Sequence, residues 1–232
     1  MSILTQKSLS VIALIISFLS FDLHAQVDVR KNDKAVLPTN EAAKDPGNAP
    51  IIKDIANDTV DNCWLKVSSK YNIPTYLLFA VAMVESQLNP VAINKNTNGS
   101  VDYGYMQINN SWHPTLAKYN IKPTDLSNPC VSIHVGAWIL ADNFYRMGYS
   151  WKAIGAYNAK DPYKRWVYAQ KVYAMHDMLV EWSHAYESAY VKQYGQKPPH
   201  AIKPPSNWIT YAHKKAAYVI SKNKDFNSKI IN

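Results

Sequence analysis

Tyr76-Leu-Leu-Phe-Ala-Val-Ala-Met-Val84, followed at once by Glu85 and Ser86, decides the fold. Pro74 suits a first helical turn, where its missing N–H is one the helix leaves unpaired anyway. Pro90 forbids continuation. A helix is therefore predicted from about Pro74 to about Leu88. Being apolar nearly all round, it belongs at the centre of a core. A carboxyl group emerging from its end, that of Glu85, is partly desolvated, which disfavours the charged form. A carboxyl that keeps its proton near neutral pH can serve as a general acid.

The pattern stays helical on both sides of this run. Trp64, Val67 and Tyr71 fall on one face of a preceding helix. Asn94-Lys-Asn-Thr-Asn-Gly-Ser100 is turn chemistry, and a small hairpin there could wall one side of a cleft. Asn128 is a good N-cap for a helix from Cys130 to about Met147, with Gly148 as its stop. Ser150 caps Trp151–Ala156. Asp161-Pro162 opens a long helix carrying Trp166, Val167, Val172 and Tyr173. Trp208–Ile220 reads as one more short helix. The fold class is mainly α.

Four regions are expected. Residues 1–25 read as a secretory signal peptide: Lys7, an apolar stretch from Leu9 to Leu19, and the small residue Ala25 at the cleavage point. An uncleaved anchor is the alternative, but that stretch is short of the roughly 20 residues a bilayer needs. Residues 26–50 are polar, with Pro38, Pro46 and Gly47, and read as a linker. Residues 51–189 form the main domain. Residues 190–232 form a basic extension, interrupted near Gly195 by Lys197-Pro-Pro-His200 and Lys203-Pro-Pro205.

The formal net charge is +8, and its distribution matters more than its size. From Tyr190 onward there are eight lysines against Asp225 alone, so the preceding domain is close to neutral. Such a tail can hold an anionic surface, whether phospholipid, wall polymer or an acidic partner protein. A merely solubilising tail is the alternative. Nucleic acid is the weakest partner, since the chain reads as exported and carries no nucleic-acid-binding motif. No His, Cys or Asp cluster has metal spacing, so neither metal nor cofactor is expected. His113, His134 and His176 show no spacing that would make Ser86 a triad nucleophile.

Two further segments suggest what Glu85 acts on: Gly104-Tyr-Met-Gln-Ile108 and Ala156-Tyr-Asn158. Each is weak alone. Gly104 permits close backbone approach, Met106 is an adaptable apolar contact, and the Gln107 amide can fix a sugar hydroxyl or acetamido group. Tyr157 can hydrogen-bond the protonated Glu85, or be one more core tyrosine among 16. Together, in this order and spacing, the three segments resemble the Glu-Ser, Gly-Leu-Met-Gln and Ala-Tyr-Asn motifs of the lytic transglycosylases. Further matches are Cys63-Trp64, Asn89-Pro90, Asn98-Gly-Ser100, Asp102, Asn109 and Asn128-Pro-Cys130. The finer pattern is similar to the small specialised members that accompany conjugation, type III and IV secretion and type IV pili. It covers about Asp61 to Met175. Tyr105 stands where that family usually has Leu, and Lys160 where Gly commonly follows.

The resemblance implies a lysozyme-like compact helical domain and a periplasmic protein acting on peptidoglycan glycan strands. Glu85 would be the catalytic residue. Ser86, Gly104, Tyr105, Met106, Gln107, Asn109, Tyr157 and Asn158 would bind or position substrate. One carboxyl group would serve as acid and then base, giving a 1,6-anhydro product without consuming water. A hydrolytic muramidase would instead need a second carboxylate. Asp102 is the candidate, although a loop-stabilising role is ranked ahead of it. A non-catalytic scaffold, binding glycan through aromatics such as Trp112, Trp151 and Trp166, is the remaining alternative. Cys63 and Cys130, an even pair in an exported chain, read as one disulfide, in agreement with the resemblance. Two separate buried thiols are the other possibility.

Overall fold

The computed structural model describes residue 47 and residues 56–196 and 204–222. The expected signal peptide, nearly all of the linker, and Lys197, Lys203, Lys224 and Lys229 lie outside the described residues. Seven α-helices and a small three-stranded sheet are formed among them. In chain order the helices are α1 (Val60–Tyr71), α2 (Thr75–Ser86), α3 (His113–Ala117), α4 (Pro129–Met147), α5 (Trp151–Gly155), α6 (Pro162–Tyr194) and α7 (Ser206–Lys222). The mainly α, lysozyme-like expectation holds.

Local chemistry sets most helix ends. The Thr59, Asn128, Ser150 and Asp161 side chains each accept a backbone N–H in the first turn of the helix that follows. Pro74 stands as the N-cap of α2. That helix ends at Ser86, two residues short of the expected end, because Gln87 and Leu88 both take left-handed backbone conformations, with φ of 54° and 64°. The expected hairpin is present and gains a third strand: β1 (Ile93–Lys95), β2 (Val101–Tyr103) and β3 (Ile108–Asn109), antiparallel throughout. Helix α3 and two 3-10 turns, Asn110–Trp112 and Pro123–Ser127, were not anticipated from the sequence.

Helix α2 is the buried axis. Leu77, Leu78, Ala80, Val81, Ala82 and Met83 are all buried within it. α6 packs along α2, α5 and α7, and α1 packs on α4. A disulfide joins Cys63 in α1 to Cys130 at the start of α4, with Cα atoms 5.6 Å apart. The pairing expected of the two cysteines is thus formed.

Helix α6 runs through residue 190 without interruption and stops at Gly195, whose left-handed backbone ends it. From residue 204 the chain turns into α7, which lies back against α6. Ala212 and Ala216, one turn apart, are buried in that contact. Lys215 forms an ion pair with Asp177 on α6.

Candidate functional site

Glu85 occupies the last turn of α2, where the helix leaves the core and meets the first half of α6. The Tyr168 hydroxyl, on α6, donates to Glu85 Oε1 at 2.5 Å. Burial raises the Glu85 pKa to about 7. The Tyr168 bond and the Lys171 charge oppose that rise, and the Asp102 charge adds to it. Burial first, and the nearby Glu85 carboxylate second, push the Tyr157 and Tyr168 hydroxyls well above the ordinary phenol range. Both therefore remain donors at any working pH. The arrangement is a carboxyl poised to give and retake a proton near neutrality.

Ser86 links this helix end to the Gly104–Gln107 loop. Its hydroxyl donates to the Tyr105 carbonyl at 2.8 Å and accepts from the Asn89 N–H at 3.2 Å. Along the loop, Gly104 and Met106 point inward and are buried, while Tyr105 and Gln107 remain partly exposed. A Cβ on Gly104 would run into the Leu126 carbonyl oxygen, and its φ is +74°. The close approach that needs glycine is therefore to the protein's own backbone. Met106, expected as an adaptable contact for the ligand, has 0% of its surface exposed and is a core anchor. Gln107 donates both amide hydrogens to backbone, to Ala92 O at 3.2 Å and Gly104 O at 2.9 Å. Its Oε1 is left as an acceptor.

Tyr157 requires a correction. Its hydroxyl donates to the Met106 carbonyl at 2.8 Å, not to Glu85. The ring stacks at 6.4 Å on that of Tyr168, which makes the bond expected of Tyr157. Asn158 is exposed at the turn after α5, held through its backbone N–H to Gly155 O at 3.2 Å. The partly exposed Asn109 is held within the hairpin: its amide donates to Ser100 and Asp102, and its Oδ1 accepts from Ser111 N. The Asp102 carboxylate accepts from Asn109 at 2.6 Å on one oxygen and from Asn96 at 2.8 Å on the other. Asp102 thus ties the hairpin together.

Tyr168 was missed in the sequence, which reads this helix as carrying Trp166, Val167, Val172 and Tyr173; the last two are buried, but Trp166 and Val167 only partly so. The better signal was spacing. Tyr168, Val172, Met175, Leu179 and Trp182 recur at alternating steps of four and three, and all five are buried. Among the described residues no group of His, Cys, Asp or Glu could hold a metal ion.

Residues 62–174 match the family described as Transglycosylase SLT domain. The chain is 46% identical over 105 residues to invasion protein IagB of Salmonella typhimurium, an alignment that covers 45% of this chain and 66% of that protein. It is 42% identical over 117 residues to protein IpgF of Shigella sonnei, covering 48% and 77% respectively. It is 37% identical over 131 residues to a peptidoglycan-binding-like protein of Escherichia coli O157:H7, covering 51% and 78%.

Proposed function

The chain belongs to the transglycosylase SLT domain family, and from that premise we propose that it is a peptidoglycan lytic transglycosylase with Glu85 as its sole acid/base. The supporting observation is the Glu85 carboxyl itself, held near pH 7 by burial and hydrogen-bonded by Tyr168. In this reading Glu85 protonates the oxygen that joins N-acetylmuramic acid to N-acetylglucosamine. The glycosidic bond breaks and positive charge develops at the muramic anomeric carbon. The 6-hydroxyl of the same sugar closes onto that carbon, and Glu85 takes its proton. The products are a 1,6-anhydromuramyl end and a free 4-hydroxyl, with no water consumed.

Ser86 and Tyr157 hold the Gly104–Gln107 loop in place, and Tyr105, Gln107 and Asn158 are the partly or fully exposed groups that would meet sugar. The site acts in the periplasm, opening the wall for an envelope-spanning machine. The similarity to a protein named for invasion is what favours that setting. No helix among the described residues is long and apolar enough to cross a membrane.

The test is digestion of purified peptidoglycan, with mass spectrometry of the released fragments and Glu85→Gln in parallel. Anhydromuramyl products from the wild type and none from the variant are expected. Reducing-end products would make the protein a muramidase and bring Asp102 forward. Binding without any product would make it a scaffold.

A further inference from the structure

Two buried residues on α4 hold the Gly104–Gln107 loop from beneath. Ser132 and Gly136 are one helical turn apart, so they share a face. Ser132 is 0% exposed, and its hydroxyl oxygen accepts the Met106 N–H at 3.1 Å. One turn on, a Cβ added to Gly136 would lie 2.6 Å from Met106 Cβ and 2.7 Å from both its Cγ and Cε. The Cγ and Cε atoms can swing aside. The Cβ cannot, because it moves only with the loop backbone. The depth of Met106 is therefore set from one helix face, by the Ser132 acceptor and by the missing side chain at Gly136.

That depth is passed on to the residues on either side. Met106 is buried between Tyr105 and Gln107, which both remain partly exposed. Gln107 is tied by its amide to Gly104 O within the loop and to Ala92 O just before β1, so lifting the loop strains the second bond and shifts the side chain. We infer that Ser132 and Gly136 are positioning residues, a seat that sets the height at which Tyr105 and Gln107 meet the glycan strand. This rests on the function proposed above.

In Ser132→Ala the buried Met106 N–H loses its acceptor, and an unpaired buried donor drives the loop outward toward water. In Gly136→Ala the loop is lifted directly, while helix propensity favours the alanine and masks part of the damage in a stability measurement. Glu85 sits on α2 and is touched by neither change.

The experiment measures binding and turnover separately, well below each variant's melting temperature. A soluble, uncross-linked peptidoglycan tetrasaccharide is titrated calorimetrically into Glu85→Gln protein, alone and combined with Ser132→Ala or Gly136→Ala. The same two substitutions are assayed kinetically with Glu85 intact. Weakening of Kd and KM by about tenfold, the scale of one lost buried hydrogen bond, is expected, with kcat within about twofold and the pH limb set by Glu85 unmoved. Unchanged Kd in both folded variants overturns the seat, as does an equal fall in kcat with no change in KM. If the Glu85→Gln parent binds the fragment but wild type does not cleave it, the proposed function fails while Kd still reads the seat. No binding by that parent together with no cleavage by the wild type overturns both; where the wild type cleaves, KM reads the seat. Hydrogen exchange at the Met106 amide of the unaltered protein adds a check independent of variant folding: slow exchange is expected, and rapid exchange overturns the proposal.

Discussion

Tyr168 reaches across the contact between α6 and α2 to donate to Glu85 Oε1 at 2.5 Å, joining residues 83 positions apart. A donor that favours the charged carboxylate lowers its pKa. Tyr168→Phe removes that donor and leaves the ring. The pH–rate profile of the variant is expected to have its alkaline limb displaced upward by about one unit, since a hydrogen bond to a charged group is worth roughly 1.5 kcal/mol or more. A profile that keeps its shape and only loses height would assign Tyr168 to packing.

Glu85 carries a stability cost that follows from the same shift. Its folded pKa, about 7, lies above the ordinary value of 4.5. Between those values the folded state binds more protons than the unfolded state, so stability falls as pH rises through that window. Glu85→Gln, which cannot ionise, is expected to be more stable than wild type at pH 8 by about 2–3 kcal/mol, with the advantage gone at pH 4. Urea unfolding of both proteins at the two pH values measures it. An unchanging difference would mean that Glu85 does not titrate as its burial implies.

His134 works in the opposite direction. It is buried on α4, and among the described residues neither ring nitrogen has a hydrogen-bond partner. Burial, with Lys70 adding to it, lowers its pKa from 6.5 to about 4. The unfolded chain therefore takes up the proton first, and stability is lost as pH falls from 6.5 toward 4. His134→Leu is expected to lack up to about 3 kcal/mol of this acid loss relative to wild type. Denaturation curves at pH 7 and pH 4.5 supply the comparison.

The disulfide closes a loop with a sequence separation of 67. In the chain-entropy account, removing it costs about 4 kcal/mol. The double variant Cys63→Ala/Cys130→Ala is expected to show that loss by denaturant unfolding, and reduction of the wild type should approach it. Anhydro-product formation at low temperature should survive, since neither sulfur lies at the Glu85 helix end.

Much of this was legible in the sequence where short-range chemistry decides the outcome. Asn128, Ser150 and Asp161 announced their helices because a cap is built from neighbouring residues. The apolar run before Glu85 announced the buried axis for the same reason. What stayed hidden depends on helices crossing. Nothing near Tyr168 reveals that α2 will place Glu85 above it. Nothing near Met106 reveals that Gly136 will leave room for its side chain. The bonds that hold Asn109 were hidden too, because its partners, Ser100 and Asp102, become neighbours only once β2 and β3 pair. The lysine count from Tyr190 onward likewise concealed Ala212 and Ala216, whose small side chains let α7 settle onto α6.

The docking of α7 changes what the C-terminal region can be in practice. Met178, Leu179 and Trp182 on α6 belong to the same hydrophobic cluster as Ala212. Cutting the chain at residue 189 would shear α6 before its final turns and strip away the helix that roofs this cluster. The molecule left behind would carry a raw apolar scar, prone to self-association, and would make a poor stand-in for an untailed enzyme. The cleaner way to probe the region is to repaint it in place, replacing exposed Lys214 and Lys222 with glutamine while Lys215 stays paired to Asp177.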